Sequence, residues 1–196
     1  MSRWLAVLLL AVSASTMAAT RVVSLAPSLS EIVVELGSAD LLVGVLDGGD
    51  RPPILKDLPS VGRYGQLDME RLLSLKPDLL LLWPGSVGPA QRAQLKGLGI
   101  PLYVAEPRSL DQLIAQIEDI ALQLGRPERG VQRAAQLRVR LEALRQRYRR
   151  DPSLSVFYQV WDRPLYTVGG GQIISCLLYT SPSPRDLSTS RMPSSA

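Results

Sequence analysis

The side chains that most often do covalent chemistry are nearly missing from this chain. Its 196 residues contain no histidine and one cysteine, Cys176. Zinc centres built from His and Cys, Ser-His-Asp triads and Cys-His pairs are therefore excluded by inventory. No G-x-S-x-G elbow presents a nucleophilic serine and no G-x-G-x-x-G loop cradles a phosphate; "GGGQ" at 169–172 is a weak glycine turn. These absences weigh against an exported α/β enzyme and leave binding chemistry. Tyr64 and Trp83 stand at strand-to-helix exits, the end at which open α/β sheets take ligands. Two readings stand for Trp83, a cleft residue or a core residue capping its strand. Arg51, Arg63 and Arg163 lie near the same presumed cleft and suit an anionic ligand such as a ferric siderophore.

Those residues need a frame, and the apolar pattern supplies one. Short apolar runs alternate with helical periods from Arg21 onward, which predicts parallel strands joined by crossover helices. "RVVSLAP" reads as a strand, and "SLSEIVVELG" as a helix opened by a Ser28–Glu31 capping box and stopped at Gly37. "LLVGVLD" is a second strand, "LDMERLLSLKP" a short helix with Asp68 as N-cap, and "DLLLLWP" a third strand, apolar throughout as when both sheet faces are covered. A helix near 90–98, the strand "LYVAE" and a helix over 109–124 with a Leu113, Ile117, Ile120, Leu124 stripe complete an α/β lobe over residues 20–126.

A long helix over 127–150 follows, rising roughly 36 Å at 1.5 Å per residue. It bridges to "SVFYQVW", the first strand of a second α/β lobe begun over 151–175. The bridge holds eight arginines and two glutamates, whereas the chain as a whole carries a formal charge of +4. Such a run could contact nucleic acid. Val131, Ala134, Leu137, Leu141, Leu144 and Tyr148 recur at helical spacing, however, so the arginines are read as the solvated faces of an amphipathic helix, with no nucleic-acid partner.

The two ends read differently from the middle. Residues 1–19 have an early Arg3, an apolar run from Leu5 to Val12 and small residues before a cleavage point near Ala18 or Ala19, the layout of a secretory signal peptide. The run is too short to span roughly 30 Å of bilayer, so no stable membrane insertion is expected. Residues 176–196 are rich in Ser, Pro and Arg without apolar period and read as a non-native or disordered tail, with most of the second lobe not encoded.

"RVVSLAPSLSEIVVELG", "LLVGV", "LPSVGRYGQLDMERLLSLKPDLLLLW" and "VFYQVWDRPLYTVGGGQIIS" resemble the periplasmic substrate-binding proteins of the cobalamin, siderophore and haem type, which feed ABC importers. The resemblance implies two lobes joined by a rigid helix, no enzymatic activity and no cofactor. It implies a cleft for cobalamin, with ferric siderophore or haem as the alternative ligand. It further implies that Tyr64 and Trp83 line that cleft, joined by Trp161 and Tyr166 at the entry to the second lobe, where Tyr166 also admits a core reading. A corrin is a broad, largely apolar plate, which flat rings cover at low entropic cost. Glu70 matches a surface glutamate that docks onto arginines of the membrane permease subunits; the bland alternative is that it only favours its helix N-terminus. The chain departs from the group at Gly48, where a tyrosine often stands.

Overall fold

The computed structural model describes residues 18–149, 152, 156–167 and 173–174. Of the leader expected over 1–19 only residues 18 and 19 are described, and the glycine turn at 169–171 and the tail expected over 176–196 lie outside the described residues.

Six strands form the main sheet: β1 (Val22–Ser24), β2 (Leu42–Asp47), β3 (Ser60–Arg63), β4 (Gln66–Leu67), β5 (Leu79–Leu82) and β6 (Leu102–Val104). Their order is β4-β3-β2-β1-β5-β6, parallel throughout except for β4, which returns antiparallel beside β3. Successive strands step outward from β1 to β3, and the chain then crosses to β5 on the other side of β1. The gap between β1 and β5 is thus the switch point at which an open sheet offers a crevice beyond its carboxyl ends.

Helices cover both faces: α1 (Pro27–Glu35), α2 (Met69–Ser74), α3 (Pro89–Gly97) and α4 (Leu110–Gln123), followed by α5 (Pro127–Tyr148). All four leucines of β5 are buried, as its unbroken apolar run predicts. One face, carrying Val22, Val45, Leu79 and Leu81, packs with Leu29 and Val33 of α1 and Ile117, Ile120 and Ala121 of α4. The opposite face, with Val23, Leu46, Leu80 and Leu82, packs with Leu72 and Leu95.

Several local expectations are met. Asp68 caps α2 by accepting from the Arg71 amide at 2.8 Å, Ser109 caps α4 through the Gln112 amide at 3.1 Å, and Gly37 takes a φ of +61° just past α1, a conformation glycine adopts without strain. Others need correction. Ser28 opens no capping box: Ala26 is the N-cap, without a side-chain bond, and Pro27 starts the helix. Proline fixes the helical φ at that position, so α1 begins before the serine. Ser30 turns inward instead, donating to the Ser24 hydroxyl at 2.9 Å.

The stripe assigned to α5 is also only partly buried. Ala134 is fully buried and Leu137 packs on the core, but Val131, Leu144 and Tyr148 are exposed. Gly130 provides the close approach, since a Cβ there would strike Ala121 of α4. Nor are the arginines of the first half simply solvated. Arg129 donates to the carbonyls of Leu36 and Gly37 at 3.0 and 2.6 Å. Arg133 holds Glu35 at 2.7 Å, Arg138 holds Glu118 at 2.7 Å and Arg126 holds Asp40 at 2.7 Å. The carbonyls left open at the end of α1 need donors, and cations suit that negative end of the helix.

Beyond the helix, "SVFYQVW" is not a lone strand. β7 (Gln159–Asp162) turns into β8 (Leu165–Thr167) to make a two-stranded antiparallel sheet.

Candidate functional site

Two of the four candidate aromatics come together at the carboxyl edge of the main sheet. Trp83 leaves β5 directly, beside the switch point, and Tyr64 sits beyond β3. Their ring centroids are 6.3 Å apart at an interplanar angle of 39°, within the range of favourable aromatic pairs. Tyr64 is 63% and Trp83 40% exposed, so Trp83 is not a core residue. Both side chains keep surface open to solvent at this edge.

The local sequence explains the arrangement. Tyr64 does not stand at a strand-to-helix exit, as the sequence reading has it. Tyr64 and Gly65 form the tip of the β3–β4 hairpin, and the Gly65 φ of +75° is what a tight reversal needs. The Gly65 amide donates to the Ser86 carbonyl at 3.0 Å, fastening that tip to the loop after β5. Ser86 in turn donates its hydroxyl to the Trp83 carbonyl at 2.7 Å and its amide to the same oxygen at 3.0 Å. A Cβ on Gly85 would run into the indole ring, so Gly85 is what lets the indole lie over its own loop. Gly85 and Ser86 escaped the sequence reading; the "WPGS" string, with its turn-forming pair, is the signal that could have found them.

The neighbouring arginines are largely committed within the lobe. Arg51 donates to the Leu58 carbonyl at 2.7 Å and pairs with Asp47. The Ser60 hydroxyl bonds the other Asp47 oxygen at 2.5 Å. The Ser60 hydroxyl first, then Arg51 against the opposing cost of burial, hold the Asp47 carboxyl below the usual range. Arg63 donates to the Gln66 amide oxygen at 2.7 Å. Beside them, Gly48 approaches Pro27 so closely that a Cβ would press on the proline ring at 2.8 Å. A larger residue at 48 has to move the start of α1.

Trp161 and Tyr166 face each other across β7 and β8 as register partners, and both are exposed. Among the described residues Tyr166 is exposed, and the Trp161 indole N–H donates to the Arg163 carbonyl at 3.1 Å. Both lie on the second sheet, one on each strand. Arg163 lies in the turn between them, paired loosely with Asp162 at 3.6 Å. Glu70 is exposed in the first turn of α2, beside its cap Asp68. Among the described residues no group of three His, Cys, Asp or Glu side chains is placed to hold a metal ion, and no described helix is long and apolar enough to cross a membrane.

A parallel lobe with a switch-point aromatic pair, followed by one long helix and a second sheet, defines a class, and the family profile agrees. The chain belongs to the periplasmic binding protein family, whose profile matches residues 22–178. Within it, the chain is 36% identical over 152 residues to the vitamin B12-binding protein of Vibrio campbellii, covering 78% of this chain and 55% of that relative. It is 37% identical over 153 residues to the vitamin B12-binding protein of Yersinia pestis, with the same coverage. The crystal structure of the periplasmic vitamin B12 binding protein of Vibrio cholerae superposes with a TM-score of 0.76 at 33% identity, covering 83% of this chain and 64% of that one. A periplasmic haem-binding protein from Roseiflexus sp. RS-1 superposes at 0.68 with 31% identity, covering 82% and 63%. The chain thus spans a little over half the length of the curated relatives it matches.

Proposed function

We propose that this protein is a periplasmic carrier that binds cobalamin without transforming it, needs no cofactor of its own, and hands its ligand to the permease subunits of an ABC importer. The observation that carries the reading is the Tyr64–Trp83 pair, two exposed side chains with rings 6.3 Å apart beside the switch point. Such a pair suits a broad apolar plate. The vitamin B12-binding relatives support it, since their similarity runs through this part of the chain. Trp161 and Tyr166 would close on the ligand from the second sheet. Glu70 is the proposed permease contact, exposed and acidic, where complementary charge fixes register and speeds encounter.

Haem and ferric siderophores are the competing ligands of the same fold. No histidine is present for haem iron, and Arg51 and Arg63 are already engaged by Asp47, the Leu58 carbonyl and Gln66, which leaves less cationic surface for an anionic siderophore. Titration calorimetry of the chain with cyanocobalamin, haem and a ferric siderophore distinguishes the three. Cobalamin is expected to bind tightest, and a preference for either iron ligand overturns the assignment. Trp83→Ala should weaken cobalamin binding by about 1 to 3 kcal/mol, as for a central aromatic anchor, with the melting temperature little changed because the ring is already part-exposed.

A further inference from the structure

We infer that the leader is cut between Ala18 and Ala19, and that the α-ammonium released on Ala19 docks on the carboxyl end of α4 as a permanent part of the lobe. Just past α4, the Gly125 φ of +68° lets its amide return to the Leu122 carbonyl at 3.0 Å while the Arg126 amide reaches Ala121 at 2.8 Å. That closure leaves the Gln123 carbonyl outside the helix ladder. The Ala19 nitrogen fills the vacancy, donating to it at 3.1 Å. Ala19 is buried and belongs to the core cluster with Ile120, Ala121 and Leu124, whereas Ala18 is exposed.

From Ala19 onward each residue of the entering segment is fixed to the lobe. Downstream, Asp78 accepts from the Thr20 amide at 2.9 Å, the Thr20 hydroxyl at 2.7 Å and the Arg21 amide at 2.9 Å. Arg21 itself donates to the Leu75 carbonyl at 2.6 Å. Residue types agree with the same bond. A cut after Ala18 places the small residues Ala18 and Thr16 at the two positions where leader cleavage demands them, while a cut after Ala19 would put Met17 at the second.

In the reaction, water adds across the Ala18–Ala19 bond, Ala18 leaves as the leader's carboxylate, and the Ala19 nitrogen is released to take up a proton as an ammonium. The host's leader peptidase supplies the catalysis before folding. The product has one more positive charge at the negative end of α4, where cations are favoured. A cut one residue later would discard the Ala19–Gln123 bond together with the buried methyl.

The full chain should be expressed in a Gram-negative host, recovered from the periplasm and weighed intact. A mass beginning at Ala19 is expected; an uncut chain, or one beginning at Thr20, overturns the inference. Chains starting at Ala19 and at Thr20, both running to Ala196, should then be melted side by side. The Thr20 form is expected to melt about 2 to 4 °C lower, the shift for roughly 1 kcal/mol in a domain of this size. Equal melting temperatures show that Ala19 is not docked and overturn the second half.

Discussion

Strand β5 and strand β7 show how differently one chain can hold four extended residues. In β5, Leu79, Leu80, Leu81 and Leu82 are at most 2% exposed, with β1 and β6 on either side and helices on both faces. In β7, Gln159, Val160, Trp161 and Asp162 are all exposed and, among the described residues, pair with β8 alone. The first is held by burial, which delivers roughly 25 cal/mol for each Å² of apolar surface removed from water. The second is held by a turn and cross-strand side-chain pairs, and a lone hairpin of this kind is marginal in water. The candidate aromatics inherit that difference: Tyr64 and Trp83 are fastened to the edge of the main sheet, while Trp161 and Tyr166 are exposed register partners on the hairpin.

The sharpest way to break the comparison is a matched truncation in each strand. Leu81→Ala should cost about 2 to 5 kcal/mol, because a buried isopropyl group is lost and a cavity opens between β5 and the helices. Val160→Ala should change the stability of the lobe by less than about 0.5 kcal/mol, as for an exposed site. Chemical denaturation followed by far-UV circular dichroism measures both. If the two variants unfold at similar denaturant concentrations, the lobe and the hairpin share one cooperative core and the contrast fails.

How far the sequence foretold this architecture follows the same divide. β5 is legible because four consecutive leucines between Asp78 and Trp83 suit only a strand covered on both faces, and α4 is legible from its serine cap and apolar period. The β3–β4 hairpin is not legible, because Gln66 and Leu67 make too short a run to show alternation, and the sequence alone therefore puts Tyr64 at a strand-to-helix exit. The capping box at Ser28 lost to the proline beside it. The arginine clamps on α1 were invisible for a different reason: Arg129 and Arg133 reach partners more than 90 residues earlier in the chain, and no local pattern reports such a meeting. Tyr64 and Trp83 could each be singled out by type and place. That their rings meet depends on the Gly65 to Ser86 hydrogen bond, which only the fold supplies.

A smaller effect tests the edge where β5 begins. Burial alone would raise the Asp78 pKa, yet bonds from the Thr20 hydroxyl and the Thr20 and Arg21 amides outweigh it and leave the carboxyl below its usual value. A depressed carboxylate contributes stability that is complete above the unfolded pKa and is lost as the pH falls through the folded one. The lobe should therefore weaken on acidification below the ordinary carboxylate range of about 4. Asp78→Asn should cost about 1 kcal/mol at neutral pH, the lower end for hydrogen bonds to a charge because the site is open to water. The variant's stability should also depend less on pH in the acid range; an unchanged acid profile would move the effect to Asp40 and Asp47, whose carboxyls are likewise depressed.

The smallest expected effect concerns the bridge, where α5 itself repeats the contrast between held and unheld structure. Its first half is clamped to α1 and α4, and from Glu142 onward its side chains are exposed. Arg138 marks the boundary, gripping Glu118 of α4 through two parallel bonds of 3.0 and 2.7 Å. That geometry is the strongest an ion pair can adopt, but half of the arginine side chain is exposed, and water and salt weaken the attraction. A double-mutant cycle of Arg138→Ala and Glu118→Ala is expected to give a coupling of about 0.3 to 1 kcal/mol in low salt. It should shrink as ionic strength rises and the screening length falls toward about 3 Å at 1 M. A coupling that persists in high salt would mean the pair is shielded from solvent, and the held part of the helix would then extend beyond Arg138 toward the second sheet.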